Sequence, residues 1–356
     1  MAAISLENLS FRYPGASEDT LSNLQLEIAD GEAHALLGAS GAGKTTLLNI
    51  LSGLLFPSAG SLRFNGNDVS RQSGRERRVA QVFQFPVLYE SLSVAENLAF
   101  PLKTRKSDAG LIAERIAYIC DELEICDLRE LKPAALSLFQ KQLVAVGKAL
   151  VSPDVAMVLL DEPLTAVEPR TKWRLRQTLR RIQEDLKVTM IYVTHDQTEA
   201  LTFADRVSVL SAGGLLQTDT PERLYAAPAH EFVGHFVGSP GMNFLPGQAL
   251  GLGDVERVGF RPEWGTLSRG DADSPANTDK PAAQGSIGAE VLRTRLQGAQ
   301  GGEAFGLITL STAHGEVTVR GPMAGNSLQP GDGLQLQLSR CVCFENQTLV
   351  REIDFL

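Results

Sequence analysis

Residues 33–52 read AHALLGASGAGKTTLLNILS, and the class of fold follows from this stretch. Ala33 to Leu37 reads as a short strand. Gly38-Ala39-Ser40-Gly41-Ala42-Gly43-Lys44-Thr45 completes the pattern G-x-x-x-x-G-K-[ST], and Thr45 to Leu55 opens a helical stretch. Strand, glycine-rich loop and helix in that order form the setting in which the pattern carries a mechanism. The glycines let backbone N–H groups close around phosphates, and the helix start adds the positive end of its dipole. Lys44 can then reach β- and γ-phosphates, and Thr45 can hold Mg²⁺. The plainer reading, a glycine turn between a strand and a helix, is set aside because the whole pattern sits in this context.

Working outward, Ala3 to Leu9 and Gln25 to Ile28 read as further strands, with turns at Pro14-Gly15 and Asp30-Gly31. From Ser91 to about Leu150 the pattern is helical. Val155 to Leu160 is a continuous apolar strand of the kind buried on both faces of a parallel sheet. It ends in Asp161-Glu162-Pro163. An acid at the C-terminal end of a parallel strand lies beside the phosphate loop, so Asp161 can hold Mg²⁺ and Glu162 can polarise an attacking water. Lys172 to Leu186 is an amphipathic helix with Leu175, Leu179, Ile182 and Leu186 on its inner face and a solvated basic face. Thr189 to Val193 is another strand. Alternation through about residue 235 predicts an α/β layer fold with a mostly parallel sheet.

Composition changes after Ser239-Pro240-Gly241. Short alternating runs follow at Leu307 to Leu310, Glu316 to Val319 and Leu334 to Leu338, separated by glycine-rich turns. Ser268 to Ser286 reads as a long mobile loop. A second, small all-β domain is expected here.

The 356 residues suggest two domains, and 43% hydrophobic with 21% charged residues is the balance of a globular chain. A net charge of -9 argues against a nucleic-acid partner, which needs basic patches to neutralise phosphates. No apolar stretch approaches the ~20 residues that span a bilayer, and the N-terminus shows no secretory signal. Membrane association is therefore expected through a partner. Cys120, Cys126, Cys341 and Cys343 form no CxxC pair and read as buried small apolar residues.

Together the phosphate loop and Asp161-Glu162 resemble the ATP-binding subunits of ABC transporters, and the resemblance spans the chain. It implies an α/β P-loop ABC ATPase domain over residues 1–238, with a helical subdomain at about 88–150, and an OB-like regulatory or dimerising β-barrel over 239–356. ATP and Mg²⁺ are the implied cofactors. The resemblance assigns Gly38, Ala39, Ser40, Gly41, Ala42, Gly43, Lys44, Thr45 and Thr46 to the phosphates, and Tyr13 to adenine stacking in preference to Phe11. Gln84, in AQVFQFPVLY, falls where the family has a glutamine that reads Mg²⁺. His195, in VTHDQTEAL, matches the switch histidine on the γ-phosphate. Thr45, Gln84 and Asp161 are the implied metal ligands, and Glu162 with His195 the implied catalytic pair.

One family element departs. The signature, usually LSGGQ, reads Leu136-Ser137-Leu138-Phe139-Gln140, so Ser137 and Gln140 remain while both glycines are lost. In the family this loop caps the ATP of the opposite subunit, and Leu138 and Phe139 put side chains where backbone must approach a triphosphate. Thr165-Ala166-Val167-Glu168 departs more mildly from Ser-Ala-Leu-Asp. A heterodimer is thus expected, in which a second ATP-binding subunit supplies an intact signature. Homodimers, or an ATP-holding regulator with little turnover, stand as alternatives, as does a soluble ABC protein acting on ribosomes or DNA.

Gln217 to Pro221, Pro221-Glu222-Arg223-Leu224-Tyr225, Phe232-Val233, Gly238 to Phe244 and Gly259-Phe260-Arg261-Pro262-Glu263 are similar to importers of carbohydrates and polyols. AQVFQFPVLYESLSV, NLAFPL, DEPLTAVEPRTKWRLR and VTHDQTEALTFAD resemble one of the two unlike ATP-binding subunits of bacterial glycerol importers. That implies two membrane permease subunits docking at Gln84 to Tyr89, above all on Phe85, Pro86 and Tyr89, with Phe100 left to core packing. It also implies a periplasmic binding protein as an indirect partner, and a peripheral place on the cytoplasmic face of the bacterial inner membrane.

Overall fold

The computed structural model describes residues 2–165, 167–269, 285–300, 303–322 and 328–355. The chain divides into two units, residues 1–221 and 222–356. The first begins with β1 (Ile4–Phe11), β2 (Leu21–Ile28), β3 (Ala33–Gly38), α1 (Lys44–Ser52), β4 (Ala59–Phe64), β5 (Asn67–Asp68), α2 (Gly74–Arg77) and β6 (Val79–Val82). It continues through α3 (Val94–Thr104), α4 (Ala109–Glu122), α5 (Leu138–Leu150), β7 (Met157–Asp161), α6 (Pro169–Leu186), β8 (Met190–Thr194), α7 (Gln197–Phe203), β9 (Arg206–Ser211) and β10 (Gly214–Asp219).

Six strands form the main sheet in the order β10-β9-β3-β8-β7-β6. All are parallel except β10, which turns back on β9. Strands β3, β7 and β8 are buried almost end to end, which is why they read as apolar runs and not as alternations. The register sets Leu37 opposite Thr194, and Asp161 opposite Val193. Parallel strands bring their C-terminal ends to one edge. Gly38, Asp161 and His195, just past β8, therefore arrive together although they are distant in sequence.

Strands β1 and β2 lie outside that sheet. With β4 and β5 they form an antiparallel sheet in the order β2-β1-β4-β5. Its β4–β5 hairpin turns at Asn65-Gly66, both at positive φ (49° and 78°), the conformation a two-residue hairpin turn requires. Leu6, Leu26 and Leu62 of this sheet share a core with Leu47 and Leu51 of α1. A second core joins Leu98, Ile119 and Val144 of α3, α4 and α5 to Leu175, Leu179 and Ile182 of α6. Helix α6 starts at Pro169, three residues before the sequence expectation, because proline at the first helical position loses no helical hydrogen bond.

The second unit holds α8 (Pro221–Ala226), whose first residue belongs to unit one, α9 (Glu231–Phe236), β11 (Asn243–Pro246), β12 (Arg257–Phe260), β13 (Gly265–Arg269), β14 (Ser286–Gln300) and β15 (Glu303–Thr312). It ends with β16 (Gly315–Pro322), β17 (Gly333–Leu338), β18 (Arg340–Glu345) and β19 (Thr348–Asp354). Two antiparallel sheets, β11-β12-β18-β19 and β13-β17-β14-β15-β16, form the small all-β domain. Val258, Phe260, Leu310, Val319 and Leu336 lie in its core.

The unit begins before the composition change at residue 239. Buried Arg261 accounts for this, since its guanidinium donates to the carbonyls of Tyr225 (2.8 Å), Gly234 (3.0 Å) and Val237 (2.5 Å) and binds residues 222–238 to the β domain. Of the loop expected from Ser268 to Ser286, residues 270–284 lie outside the described residues, and Ser268 and Ser286 belong to β13 and β14. Cys120, Cys341 and Cys343 are buried, whereas Cys126, expected to be buried too, is exposed in a short turn after α4; all four are free thiols. Among the described residues no helix is long and apolar enough to cross a membrane.

Candidate functional site

The loop between β3 and α1 is shaped by its glycines. Gly43 caps α1 at φ 100°, and a Cβ there would come within 2.6 Å of the Leu21 side chain, so any other residue would be strained. No side chain caps this helix start, which leaves the N–H groups of its first turn free for an anion. Ala39, Ser40, Gly41 and Thr45 are exposed along the loop, with Gly43 half-buried, while Gly38, Ala42, Lys44 and Thr46 are buried. The Lys44 ammonium donates to the carbonyls of Gly38 (2.8 Å) and Ala39 (3.0 Å), holding the loop closed from beneath. Burial pushes its pKa down, against the opposing charges of Glu162 and Asp161.

At the neighbouring strand ends stand the acids. Burial raises the pKa of Asp161, the charge of Glu162 raises it further, and Lys44 opposes both. Burial acts on Glu162 in the same upward sense, but hydrogen bonds and charge from His195, Thr165 and Lys44 outweigh it and hold the carboxyl below its ordinary value. Glu162 is thus an anion at neutral pH. His195 Nδ1 lies 3.0 Å from Glu162 Oε1, and Thr165 donates to Oε2 at 3.1 Å. The Glu162 N–H bonds to the Val193 carbonyl (2.9 Å) with φ at 45°, so the turn after β7 is pinned to β8. Gln84 is half-buried two residues past β6, whose Val82 pairs with Leu160, and so reaches the same edge.

Tyr13 stands on the loop after β1, 42% exposed, with its hydroxyl 3.2 Å from Thr46 Oγ1. Its ring meets Phe11 edge-on at 4.8 Å, and Phe11 is core. The two aromatic candidates thus divide, one into the interior and one toward the phosphate loop. A separate hollow of about 710 Å³ is lined by Asn67, Asp68, Gln72, Arg77 and Asp154 and holds none of these residues.

Ser137 and Gln140 are not on that edge. They open α5, where the Ser137 hydroxyl accepts from the Gln140 N–H (3.2 Å) and the Gln140 side chain accepts from the Ser137 N–H (2.9 Å). Leu138 projects 39% exposed, while Phe139 is half-buried with the Arg174 guanidinium over its ring at 5.7 Å. Beyond Gln84 a patch of large apolar side chains is exposed, led by Phe85 at 66% and including Phe83, Val87 and Tyr89. Phe100 joins it, contrary to the core-packing expectation, because its ring rests on Tyr89 at 4.4 Å. Lys148 lies 4.6 Å from the Tyr89 ring and donates to the Val87 carbonyl at 3.1 Å.

Residues 21–165 match the ABC transporter family. The sn-glycerol-3-phosphate import ATP-binding protein UgpC of Chromohalobacter salexigens is 38% identical over 334 residues, 88% of this chain and 89% of that protein. The chain belongs to the ABC transporter family. It is also 41% identical over 253 residues to the trehalose import ATP-binding protein SugC of Mycobacterium tuberculosis, across 71% of this chain and 64% of that one. The dimeric, post-hydrolysis structure of the ATP-binding cassette MJ0796 with ADP and Pi superposes with a TM-score of 0.54 at 28% identity, covering 61% of this chain and 98% of that one. This ABC protein binds ATP and is an ABC-type ATPase.

Of the residues singled out in the sequence, the structure gathers the phosphate loop, Tyr13, Gln84, Asp161, Glu162 and His195 in one region of the ABC unit, and leaves Ser137 and Gln140 at α5. Sequence reading missed Glu199, Lys172 and Thr194, whose hydrogen bonds lie directly behind His195. The available signal was Asp196 followed three residues later by Glu199, the pattern of an N-cap with an acid in the first turn.

Proposed function

We propose that the chain is the energy-coupling ATPase of an importer for a polyol or sugar, with glycerol as the cargo, paired with a second and unlike ATP-binding subunit. One observation carries the import reading: 38% identity to an import ATP-binding protein along 88% of the chain. The assembled edge of Lys44, Asp161, Glu162 and His195 supports its role as motor.

In this reading the N–H groups of residues 39–46 and the Lys44 ammonium bind the phosphates, and Tyr13 stacks on adenine. Thr45, Gln84 and Asp161 offer a hydroxyl, an amide oxygen and a carboxylate, hard donors suited to Mg²⁺. So few protein charges leave phosphate oxygens to complete the shell, as that ion prefers. Bound there, Mg²⁺ supplies charge neutralisation. Glu162 orients a water and takes its proton at a carboxylate oxygen, while His195 holds Glu162 on one side and faces the γ-phosphate on the other. Most of the rate enhancement is positioning. The exposed patch of Phe83, Phe85, Val87, Tyr89 and Phe100 receives a helix of each permease subunit. Those subunits hold the chain at the cytoplasmic face of the inner membrane, and a periplasmic binding protein delivers cargo to them.

The heterodimer rests on α5. Its exposed Leu138 lies where a facing nucleotide needs bare backbone, so the chain can use a partner's signature better than it can offer its own. A homodimer is the second reading, favoured by the intact bonds between Ser137 and Gln140. Native mass measurement of the purified transporter decides: two unlike ATP-binding chains are expected, and two copies of this one would reject the heterodimer. Uptake of labelled glycerol, sn-glycerol-3-phosphate and trehalose by cells lacking the chain tests the cargo. Loss of glycerol uptake is expected, and unchanged glycerol uptake would reject that assignment.

A further inference from the structure

We propose that Glu199 is a positioning residue for ATP hydrolysis, acting through His195. The proposal rests on the role given above to His195. Glu199 lies in the first turn of α7 and is only 4% exposed. A carboxylate so buried is unfavourable unless donors and a counter-charge surround it. Three donors converge on it: the Tyr192 hydroxyl (3.0 Å) and the Thr194 hydroxyl (3.0 Å) on one oxygen, and the Lys172 ammonium (3.2 Å) on the other.

These donors join the two catalytic segments. Thr194 directly precedes His195, and its hydroxyl also accepts the N–H of Asp196 at 3.0 Å. The peptide unit that follows His195 is thereby tied, through the Thr194 hydroxyl, to the Glu199 carboxylate. Lys172 comes from the first turn of α6, the helix that begins just after the turn bearing Glu162 and Thr165. The His195 ring itself is 54% exposed, and among the described residues its one hydrogen bond is to Glu162. Beyond that bond, its aim is set by its backbone. Glu199 fixes that backbone and, through Lys172, ties it to the element that follows Glu162.

If Glu199 merely satisfied Tyr192 and Thr194, its loss would weaken the fold without regard to His195. The complete transporter carrying Glu199→Gln, His195→Ala or both separates the two roles. Glu199→Gln is expected to lower kcat about tenfold or more, the scale of a small misplacement, with KM for ATP within about twofold. In the His195→Ala background it should add less than about twofold, since losses through one shared group do not multiply. Multiplying losses, or a raised KM at unchanged kcat, would overturn the proposal. An inert His195→Ala would instead overturn the role of His195 itself. Should Glu199→Gln not fold, Lys172→Met carries the same test from the partly exposed end, with the same non-additivity expected.

A second readout needs no turnover. In the isolated chain with ¹³C-labelled histidines, the ring signal that vanishes in His195→Ala should move in Glu199→Gln, while that of His314, in the β domain, stays. An unmoved His195 signal would refute the clamp.

Discussion

Helices α1 and α5 both begin where the proposed reading puts a triphosphate, and they begin in opposite ways. Helix α1 starts at Gly43, with a left-handed backbone and no capping side chain, so the donors of its first turn remain for a ligand. Helix α5 starts at Ser137, which exchanges hydrogen bonds with Gln140 and then projects Leu138 outward. The same dipole end stands at both. The α1 start carries no side-chain cap, while at α5 Ser137 takes the Gln140 N–H and Leu138 projects outward.

The sharpest break with this contrast comes from the chemistry beside α1. Glu162→Gln keeps the shape of the turn and removes the proposed base, so turnover should fall about 10²- to 10⁴-fold while ATP binding persists. Steady-state phosphate release and equilibrium nucleotide binding on one preparation check it. Turnover near the wild-type rate would move the base elsewhere and leave α1 as a binding element only.

Repairing α5 tests the other half. Leu138→Gly with Phe139→Gly restores bare backbone at the helix start, and ATP hydrolysis by the isolated chain should rise, by up to about 10²-fold if one lost donor is regained. The glycines themselves cost about 1 kcal/mol of helix stability each. Loss of the Arg174–Phe139 contact adds to that. Unchanged hydrolysis at full folding would mean that Leu138 and Phe139 are not what holds α5 closed.

The α1 end was plain in the sequence and the α5 end only half so, for a physical reason. A phosphate loop is local, since strand, glycines, lysine and helix are contiguous, and a buried parallel strand such as β7 announces itself as an unbroken apolar run. Asp161 could be placed because parallel strands share an edge, whereas His195 was placed only by the resemblance of VTHDQTEAL to the family. What the chain does at long range was not legible. Nothing within β1 or β2 says that they share a sheet with β4 and β5 and not with β3; the Asn65-Gly66 turn was the available cue. The reach of Arg261 back to Tyr225, Gly234 and Val237 likewise has no local signal, and the compact unit ending at residue 221 differs for that reason from the boundary expected at 238. Phe100 looked like core because apolar residues usually are, and it is in fact half of an exposed aromatic pair.

Acid separates the fold from the site. At the start of β3, His34 is wholly buried, with Nδ1 2.7 Å from Glu32 Oε1 and Nε2 2.8 Å from Ser208 Oγ. Burial lowers its pKa more than the Glu32 contact raises it, so the folded chain takes up this proton at a lower pH than the unfolded chain does. Protons then favour the unfolded form. Stability is whole above about pH 6.5 and declines as pH falls below it. Glu32, whose carboxyl lies below its ordinary value through the His34 and Ala29 hydrogen bonds despite burial, adds loss at still lower pH. The melting temperature of unit one should drop between pH 7.5 and 5.5, and His34→Gln should flatten that slope. Because His34 is at the far end of β3 from Gly38, nucleotide affinity of the folded chain should not follow the same curve; if it does, strand and loop are not independent.

The smallest effect sharpens the contrast most. Ser137→Ala removes the hydroxyl that accepts the Gln140 N–H, a cap worth about 1 kcal/mol, and should lower the melting temperature by roughly 2–4 °C for a unit of this size. At α1 no equivalent loss is available, since no side chain caps it. What matters is whether transport falls with the stability or beyond it. If α5 is closed to the partner's nucleotide, Ser137→Ala leaves transport per folded complex unchanged, because a hydroxyl already bonded to its own helix offers nothing across the interface. If Ser137 leaves Gln140 to meet that nucleotide, transport falls several-fold at equal folding, and α5 is then a second bare start that only looks closed in the single chain.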